Sequence, residues 1–353
     1  PCSAACSQKS LVFALIYNNI CKSYLTPDTV NIKIHHMRSS AITFNSPQQV
    51  SLHSLALPTL QFGDVAVVVQ YSGINTATER LLWDGALPRL NGGSYPVVPG
   101  YESVGRVAKT HSGSVLKEGQ LVFIPRADCF EGVNSLYGAT ASHLVVSERV
   151  AMPMTEDIGT DGVLMALAAT AYHAVSGGGQ HAPFTPPDLI IGHNVMGRLL
   201  ARLTIAAGFN APTVWETNAA LQKGADAYTV IHPSDDDRND YTAIYDVTGD
   251  TGALDDWLQK LHPAGELVLA GIYREPLSFT YGYACAREAR IRTTNEWTRA
   301  DLLAVNQLVS TGQLSLHGLI THVQSARSAT DAYQTAFGDV SCLKMVLDWS
   351  AHA

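Results

Sequence analysis

The pattern of apolar and polar positions changes in character at about residue 157. Upstream, short runs such as 50–55 and 64–71 alternate between apolar and polar residues, and clustered glycines and prolines separate them. Such alternation is typical of half-buried β-strands. Downstream, short apolar runs alternate with stretches of helical periodicity, the first of which covers 162–175. The chain is therefore predicted to be an α/β protein, with an irregular β-barrel followed by a doubly wound parallel sheet.

The second part of the chain carries a regular succession of predicted elements. Strands are predicted at 189–191, 213–215, 229–231, 243–247, 265–270 and 290–294, and helices at 195–207, 218–223 and 252–261. A further helix at 299–310 and a last strand at 344–348 form a tail that is expected to return to the barrel. The predicted domains are a barrel domain of 37–156 with 299–353, and a domain of 157–298 built on the parallel sheet.

Residues 188–216 predict a strand, a glycine turn, a helix and a second strand that ends in an acid, the order of a dinucleotide-binding unit. Gly192 lets the chain turn sharply out of the first strand, and Gly197 lets the helix pack closely against the sheet. The first helical turn directs free backbone N–H groups at a pyrophosphate. Glu216, 19 residues after Gly197, can accept hydrogen bonds from the adenosine ribose and would repel a 2′-phosphate. The stretch therefore predicts a cofactor site that favours NAD over NADP.

One position of this turn departs from the glycine-rich pattern. Asn194 stands at the middle glycine, where it tolerates a positive φ but brings a side chain toward the phosphates. The alternative interpretation is an ordinary strand–helix–strand unit of the core that binds no ligand. The spacing from Gly197 to Glu216 and the flanking strands favour the cofactor site.

Composition narrows the class of partner. The chain has 353 residues, of which 46% are hydrophobic, and a formal net charge of −8. The negative balance argues against nucleic acid or an anionic membrane as the main partner. No apolar run reaches the roughly 18 residues of a membrane span. Cys129, Cys285 and Cys342 show no paired spacing and suit reduced thiols, so a cytoplasmic protein without stable membrane insertion is expected.

The first 36 residues differ from the rest of the chain. The sequence begins with Pro1, and three of its six cysteines lie in this segment. The apolar run 11–17 is not followed by a small-residue cleavage site, so it makes a poor signal peptide. Met37 precedes a clear strand pattern at 41–44. We expect residues 1–36 to be a non-native or disordered extension; a genuine targeting extension is the alternative.

From about Met37 to the end, the order of the predicted domains resembles the medium-chain dehydrogenase/reductase superfamily. Within it, several stretches are similar to the bacteriochlorophyllide a dehydrogenase family of bacteriochlorophyll synthesis, namely 71–79, 82–85, 95–105, 197–203 and 214–218. The resemblance implies a GroES-like barrel domain and a Rossmann NAD-binding domain. It implies oxidation of the 3-(1-hydroxyethyl) group of a chlorin or bacteriochlorin to acetyl, with a tetrapyrrole as substrate and NAD as hydride acceptor. It also allows a homodimer.

Comparison with the superfamily pattern shows that the usual zinc ligands are absent from this sequence. Zinc-dependent members of the superfamily carry three metal ligands at positions that here read Asn75, Tyr101 and Ala166. Only Glu102 of their Gly-His-Glu motif remains, and Cys129 stands alone where four closely spaced cysteines would hold a structural zinc. Three neutral, weakly ligating side chains do not hold Zn²⁺. A zinc-independent enzyme is therefore expected.

Without a metal, another group must lower the barrier to loss of the alcohol proton. Tyr101 can hydrogen-bond the substrate oxygen with Glu102 behind it, Asn75 can orient the hydroxyl, and His173 is a second candidate for the proton transfer. Alternatives stay open for each. Tyr101 fills the space that zinc vacated, Glu102 pairs with an arginine, or His173 is a satisfied core residue. His193 in the phosphate turn is expected to contact backbone.

Four further positions are carried over from the superfamily as contacts to the cofactor. Thr170 corresponds to the position beside the nicotinamide. Val247 and Thr248 correspond to a strand end on the adenine side, and Gly271 begins the loop near the nicotinamide ribose.

The segment 82–96 corresponds to one that borders the substrate cleft in the superfamily. It supplies aromatic and apolar surface, one arginine and several glycines. We expect Trp83 or Tyr95 to lie against the tetrapyrrole ring and Arg89 to meet its propionate. The alternative is a surface loop with ordinary turn residues.

Two other functions compete with alcohol oxidation. An enoyl or quinone reductase of the same superfamily also needs no metal, but such relatives usually prefer NADPH and have a basic or small residue in place of Glu216. A non-catalytic binder that kept the fold is the other alternative, and Glu216 together with Thr170 argues against it.

Overall fold

The computed structural model describes residues 38–86, 95–177 and 185–352, which fold as one unit. The predictions made for residues 1–36 and for Arg89 lie outside the described residues.

The first part of the chain is a set of short strands with one short helix. The alternating runs that predicted strands all lie in strands, because their apolar side chains face a common interior. The elements are β1 (Arg38–Ser46), β2 (Gln49–Ala56), β3 (Asp64–Ile74), α1 (Thr78–Trp83), β4 (Val97–Val98), β5 (Ser103–Lys109), β6 (Leu121–Ile124), β7 (Asn134–Ser135), β8 (His143–Ser147) and β9 (Met152–Pro153).

The second part alternates strands with helices. A 3₁₀ stretch (Glu156–Leu164) leads into α2, whose small apolar residues are almost all buried. The elements are α2 (Met165–Val175), β10 (Leu189–Ile191), α3 (Val195–Ala206), β11 (Thr213–Trp215), β12 (Thr229–Ile231), β13 (Tyr241–Asp246), α4 (Leu254–Lys260), β14 (Leu261–Leu269), α5 (Tyr281–Ala286), β15 (Arg290–Thr293), α6 (Arg299–Ser310), β16 (His322–Ser325), α7 (Ala329–Gly338) and β17 (Met345–Asp348).

Strands β10 to β15 form a six-stranded, wholly parallel sheet in the order β12-β11-β10-β13-β14-β15. The chain therefore runs outward from β10 in one direction and returns to fill the other side from β13. Ile191 is in register with Asp246, so the carboxyl ends of β10 and β13 lie side by side at this reversal. In doubly wound sheets the ligand crevice opens at that point. The α/β fold with a GroES-like barrel and a Rossmann-like sheet is confirmed.

The end of the chain returns to the barrel. Strand β17 pairs antiparallel with β3, with Met345 opposite Ile74, and β16 pairs with β17. These strands complete a seven-stranded sheet in the order β16-β17-β3-β5-β6-β9, with β8 on β3, beside a four-stranded sheet β2-β1-β4-β7. Because β17 lies beside β3, the residues at the start of β17 reach the same strand ends as the residues near 75 and 102.

Two local predictions differ from the structure. The helix predicted at 218–223 is wrong, since turns occupy this segment. The Arg198 guanidinium donates to the carbonyl oxygens of Leu221, Lys223 and Gly224, so these oxygens are satisfied without helical N–H partners. Helices α1, α5 and α7 were not predicted; α7 forms because Ala332, Tyr333 and Ala336 bury one face against the barrel. Among the described residues, no helix has the length and apolar character needed to cross a bilayer.

Candidate active site

A cavity of about 560 Å³ opens where the carboxyl ends of β10 and β13 face the barrel. Its walls combine apolar side chains with a small number of polar groups, which is the usual make-up of a ligand site. Six of the predicted site residues line it, namely Asn75, Tyr101, Thr170, Asn194, Val247 and Gly271. The other lining residues are Thr76, Ala77, Thr78, Pro125, Arg126, Tyr137, Leu167, Val195, Met196, Ala270, Ile272, Thr294, Asn295, Glu296, Trp297, Leu343 and Lys344.

The turn between β10 and α3 requires both of its glycines. Gly192 has φ +101°, and a Cβ there would lie 2.8 Å from Thr248 Cγ2. A Cβ on Gly197 would lie 2.0 Å from the Gly192 carbonyl oxygen. The backbone of the turn is therefore packed against the start of α3, whose first N–H groups face the crevice. A side chain at either position would collide with Thr248 or with the Gly192 carbonyl. Such a cradle of backbone groups, between a strand and the start of a helix, is the usual place for the pyrophosphate of a dinucleotide.

Asn194 does not use the positive φ that its type tolerates, since its φ is −73°. Instead its side chain is the N-cap of α3: Oδ1 accepts from the Gly197 N–H at 3.0 Å, and Nδ2 donates to the Val247 carbonyl at 3.0 Å. One carboxamide thus joins the ends of β10 and β13 at the mouth of the crevice. The side chain is turned toward these backbone groups, which explains how an asparagine replaces the middle glycine of the pattern.

Glu216 lies at the carboxyl end of β11, as the ribose acceptor of a dinucleotide site would. Its Oε2 accepts from the His193 N–H at 3.0 Å and its Oε1 from the Asn218 N–H at 2.8 Å. Each oxygen keeps a second lone pair for a ligand hydroxyl. His193 itself is fully buried between the Leu221 carbonyl and the Tyr228 hydroxyl, and burial lowers its pKa to about 4. It therefore stays neutral and structural.

The remaining cofactor positions lie around the same crevice. The Thr170 hydroxyl donates back to the Ala166 carbonyl within α2, and its side chain lines the cavity. Thr248 is exposed and donates to the buried Asp246 carboxylate, so only its neighbour Val247 reaches the cavity wall. Gly271 has no room for a side chain, because a Cβ would lie 2.5 Å from the Gly249 nitrogen.

On the barrel side, adjacent strand ends bring three polar residues together. Lys344 precedes β17, Asn75 follows β3 and Glu102 precedes β5. Met345 pairs with Ile74, and Ser72 with Ser103, so the register places the three side chains at one end of the sheet.

These three residues form a buried polar network. The Lys344 ammonium contacts Glu102 Oε2, and Asn75 Nδ2 donates to Glu102 Oε1 at 3.2 Å. Lys344 and Glu102 are only 2% and 1% exposed. Gly73 makes room for them, since a Cβ there would lie 2.2 Å from Glu102 Oε2. Glu102 thus has a lysine partner where an arginine was considered, and it lies behind the cavity wall. Lys344 was not predicted as a site residue, because its place depends on pairing between distant strands.

A second buried carboxylate extends this network. Glu79, in α1, accepts from the Asn75 backbone N–H at 3.2 Å and from the Tyr333 hydroxyl of α7. Burial raises the pKa of Glu79 to about 7, with a smaller contribution from the nearby Glu102 charge. Asn75 is therefore held from two sides, by its carboxamide and by its backbone, and its Oδ1 accepts from the N–H groups of Ala77 and Thr78.

Tyr101 lies on the cavity wall next to Glu102 in the chain. Its ring meets the edge of the Tyr137 ring at a centroid distance of 4.9 Å. Burial, reinforced by the Glu102 charge, holds the pKa of Tyr101 well above its usual value. The phenol consequently stays protonated and can donate a hydrogen bond into the cavity. Tyr137 in turn donates to the Glu296 carboxylate across the cavity mouth.

His173 lies outside the residues that line the cavity. Its Nδ1 is 2.9 Å from Asp301 Oδ2, and Asp301 also forms the capping box that begins α6. His173 is 8% exposed and joins α2 to α6. This arrangement corresponds to the satisfied core residue and removes His173 from the candidates for proton transfer.

Two of the predicted substrate contacts also lie elsewhere. Trp83 packs in the barrel interior, stacked on Tyr333 at a centroid distance of 6.5 Å and against Phe337 at 5.5 Å. The Tyr95 hydroxyl donates to the Leu82 carbonyl, and its ring packs on the same core. The apolar character that suggested a ring platform is thus used by the barrel core. The cavity obtains its aromatic surface from Tyr101, Tyr137 and Trp297.

The described residues do not offer a metal site. No group of three or more His, Cys, Asp or Glu side chains that could hold an ion occurs in 38–86, 95–177 and 185–352. At the three ligand positions of the zinc-dependent superfamily, Asn75 is engaged with Glu102, Tyr101 stays protonated and Ala166 is fully buried. These residues do not fit zinc.

Comparison with known proteins identifies close relatives along almost the whole chain. The alcohol dehydrogenase GroES-like domain family matches residues 61–156. The 2-desacetyl-2-hydroxyethyl bacteriochlorophyllide A dehydrogenase of Rhodobacter capsulatus is 45% identical over 314 residues, covering 89% of this chain and 99% of that protein. The enzyme of the same name from Cereibacter sphaeroides is 42% identical over 322 residues, covering 90% of this chain and 100% of that protein.

Solved structures share the fold at lower identity. The 2R,3R-butanediol dehydrogenase of Bacillus subtilis aligns with a TM-score of 0.75 and 18% identity, over 88% of this chain and 99% of that chain. The acetophenone reductase of Geotrichum candidum, solved in complex with NAD, aligns with a TM-score of 0.73 and 17% identity, over 89% and 97% of the two chains.

The raised pKa of Glu79 predicts a pH-dependent stability. Between its ordinary pKa of 4.5 and about 7, the folded state binds more protons than the unfolded state, so the free energy of unfolding falls as pH rises. Glu79→Gln mimics the protonated side chain. Relative to this variant, the wild type should lose about 2–3 kcal/mol between pH 5 and pH 8, given ~1.4 kcal/mol per pKa unit.

Urea unfolding at both pH values measures this difference. Glu118→Gln serves as the control, because Glu118 is an exposed carboxylate that forms no ion pair within the described part of the chain. Parallel stability profiles for wild type and Glu79→Gln would contradict the assignment of a proton to Glu79.

Proposed function

The chain belongs to the family of the 2-desacetyl-2-hydroxyethyl bacteriochlorophyllide A dehydrogenases, in the medium-chain dehydrogenase/reductase superfamily, and we propose that it oxidises the 3-(1-hydroxyethyl) group of a chlorophyllide or bacteriochlorophyllide to 3-acetyl. Membership of this family makes it an oxidoreductase that acts on a hydroxyl group. The proposal adds that NAD accepts the hydride and that no zinc takes part.

One observation carries the proposal. A single cavity contains both Tyr101 and Asn75 on the barrel side and Thr170, Val247 and Gly271 at the sheet edge. The sheet edge fits a dinucleotide, as the cradle of the glycine turn indicates. A substrate that enters from the mouth would therefore meet a hydrogen-bond donor on one side and the nicotinamide position on the other.

The reaction converts a secondary alcohol to a ketone. The carbinol hydrogen leaves with the electron pair of the C–H bond as hydride, the O–H proton is released to the solvent at the cavity mouth, and a C=O double bond forms. A bound nicotinamide would supply the electrophilic carbon that accepts the hydride. The chain's own residues bind the pigment, orient its hydroxyl and exclude water from the reacting atoms.

Tyr101 is proposed to hydrogen-bond the substrate oxygen. Because its raised pKa keeps the phenol protonated, it acts as a donor, which stabilises negative charge as the alcohol proton is lost. Asn75 is proposed to position this site, since its carboxamide is fixed by Glu102 and by the start of α1. No step is assigned to a metal, because the residues at the zinc positions do not fit one.

Glu216 supports NAD over NADP. Its carboxylate lies at the end of β11, where the adenosine ribose would bind, and a 2′-phosphate there would meet like charge. The nearby Arg198 guanidinium is 5% exposed and donates to the carbonyl oxygens of His193, Leu221, Lys223 and Gly224. It is thus committed to the protein backbone.

The substrate class follows from the relatives and suits the cavity. A tetrapyrrole is a flat aromatic disc, which needs apolar and aromatic walls with few polar groups. Leu167, Met196, Ile272, Trp297 and Leu343 supply such walls. The entering part of the ring would be the edge that carries the hydroxyethyl group.

The proposed activity predicts a direct spectroscopic result. Incubation of the protein with NAD and a 3-hydroxyethyl chlorophyllide should produce equimolar NADH and oxidised pigment. The NADH absorbance and the red-shifted band of the pigment measure the two products. Small secondary alcohols should be turned over far more slowly, because they fill little of the cavity. If small alcohols react as fast as the pigment, the tetrapyrrole assignment fails. If NADPH instead reduces alkenes or quinones, the enzyme is a reductase of the same superfamily.

Glu216 predicts the choice of cofactor. Glu216→Ala should raise the KM for NAD and narrow its margin over NADP by about 1–3 kcal/mol, the scale of a lost charge-assisted hydrogen bond. Glu216→Gln separates charge from hydrogen bonding: it should improve kcat/KM for NADP while retaining more NAD activity than alanine. Steady-state kinetics with both cofactors measure these effects, and a wild-type preference for NADP would refute the assignment.

The proposed role of Tyr101 predicts that its substitution lowers kcat. Tyr101→Phe removes the donor and keeps the ring, so kcat should fall by about 100-fold or more, with a small change in the KM for the pigment. Tyr95→Phe is the matched control, since the Tyr95 hydroxyl bonds a carbonyl away from the cavity. A decrease of twofold or less in Tyr101→Phe would mean that Tyr101 only fills space.

A further inference from the structure

The charged groups of the cavity wall differ in how they are neutralised. The Lys344 ammonium is buried against the Glu102 carboxylate. The Glu296 carboxylate accepts from the Tyr137 hydroxyl. Arg126 also lines the cavity and is exposed, but it forms no hydrogen bond or ion pair with another residue in the described part of the chain. Its guanidinium is therefore available to a ligand.

The backbone that carries Arg126 is fixed close to Tyr101. The β5–β6 ladder ends at the pair Ser103–Ile124, so Tyr101 and Arg126 each lie two residues beyond that last pair, and both line the cavity. The next residue, Ala127, is 1% exposed and donates its N–H to the Tyr137 carbonyl at 2.6 Å. A Cβ on Gly138 would lie 2.1 Å from the Ala127 carbonyl oxygen, so the two segments are in close contact. The backbone next to Arg126 is therefore held in place by these contacts, while the Arg126 guanidinium has no hydrogen-bond partner among the described residues.

We propose that Arg126 is the residue that recognises the carboxylate of the substrate, and this inference rests on the proposed oxidation of a chlorophyllide. A chlorophyllide carries one free propionate, on the ring next to the one that bears the hydroxyethyl group. With the hydroxyethyl group at Tyr101, the propionate extends along the cavity mouth toward Arg126. The guanidinium fork binds a carboxylate through two parallel hydrogen bonds.

The test compares a 3-hydroxyethyl chlorophyllide with its propionate methyl ester, which has the same ring and carbinol but no charge. For wild type, kcat/KM should favour the acid over the ester. In Arg126→Gln this acid-to-ester ratio should fall by about 10- to 100-fold, the scale of a charge-assisted hydrogen-bonded pair. Arg126→Lys should retain an intermediate ratio, because an ammonium keeps the charge without the bidentate geometry. The wild-type ratio should also fall at high salt.

Arg149→Gln is the matched control, since Arg149 is an exposed arginine that does not line the cavity; its ratio should equal that of wild type. An Arg126→Gln variant with an unchanged ratio, or with equal losses on acid and ester, would overturn the role of Arg126 while leaving the oxidation of the pigment intact.

A binding titration separates this inference from the proposed function. Tryptophan fluorescence quenching by the free-acid pigment, without cofactor, should give a weaker dissociation constant for Arg126→Gln than for wild type. If wild type binds the acid through Arg126 but oxidises neither pigment, the proposed reaction fails and the carboxylate site stands. If wild type binds acid and ester equally, the carboxylate site fails whatever the outcome of the assay.

Discussion

Removing a lysine and a glutamate from water costs several kcal/mol per ion, and only close pairing with further hydrogen bonds offsets that cost. Lys344 and Glu102 are in this situation, at 2% and 1% exposure. Their pairing requires the ends of β17, β3 and β5 to lie side by side, and it requires a glycine at position 73 between them. The residues near 344 must therefore pair with a sheet whose other strands lie more than 200 residues earlier in the sequence.

The same pair sets the barrel side of the cavity. Glu102 fixes the carboxamide of Asn75, and Asn75 begins α1 by accepting from the backbone of Ala77 and Thr78. Tyr101, as the neighbour of Glu102, is placed at the wall with its phenol held in the protonated form. Where zinc-dependent relatives have metal ligands, this chain has a neutral donor supported by a satisfied network of charges. A partly satisfied network would be costly, so the network and the donor depend on each other.

The sheet side of the cavity follows a different constraint, which is the satisfaction of backbone groups at the strand ends. Asn194 caps α3 and bonds the Val247 carbonyl, so one side chain closes the gap between β10 and β13. Arg198 holds the carbonyl oxygens that follow β11, and Glu216 holds the N–H of His193. These contacts leave the first turn of α3 at the wall of the cavity, while Glu216 lies at the end of β11 outside the residues that line it. Arg126 belongs to neither group of contacts. It lies two residues after β6, lines the cavity, and forms no hydrogen bond or ion pair with another described residue.

The sequence by itself determined strands β10 to β15 and helices α2, α3, α4 and α6, since apolar periodicity reports which face of each element is buried. It also predicted the sharp turn at Gly192 and the close packing at Gly197, because such positions accept only glycine without a steric clash. It did not determine Lys344, Arg126 or the true surroundings of His173, Trp83 and Tyr95. Periodicity shows that a side chain is buried or aromatic but not which distant strand supplies its neighbour. Only the pairing of β17 with β3 and of β5 with β6 decided which charges are neutralised in the core and which one faces the cavity.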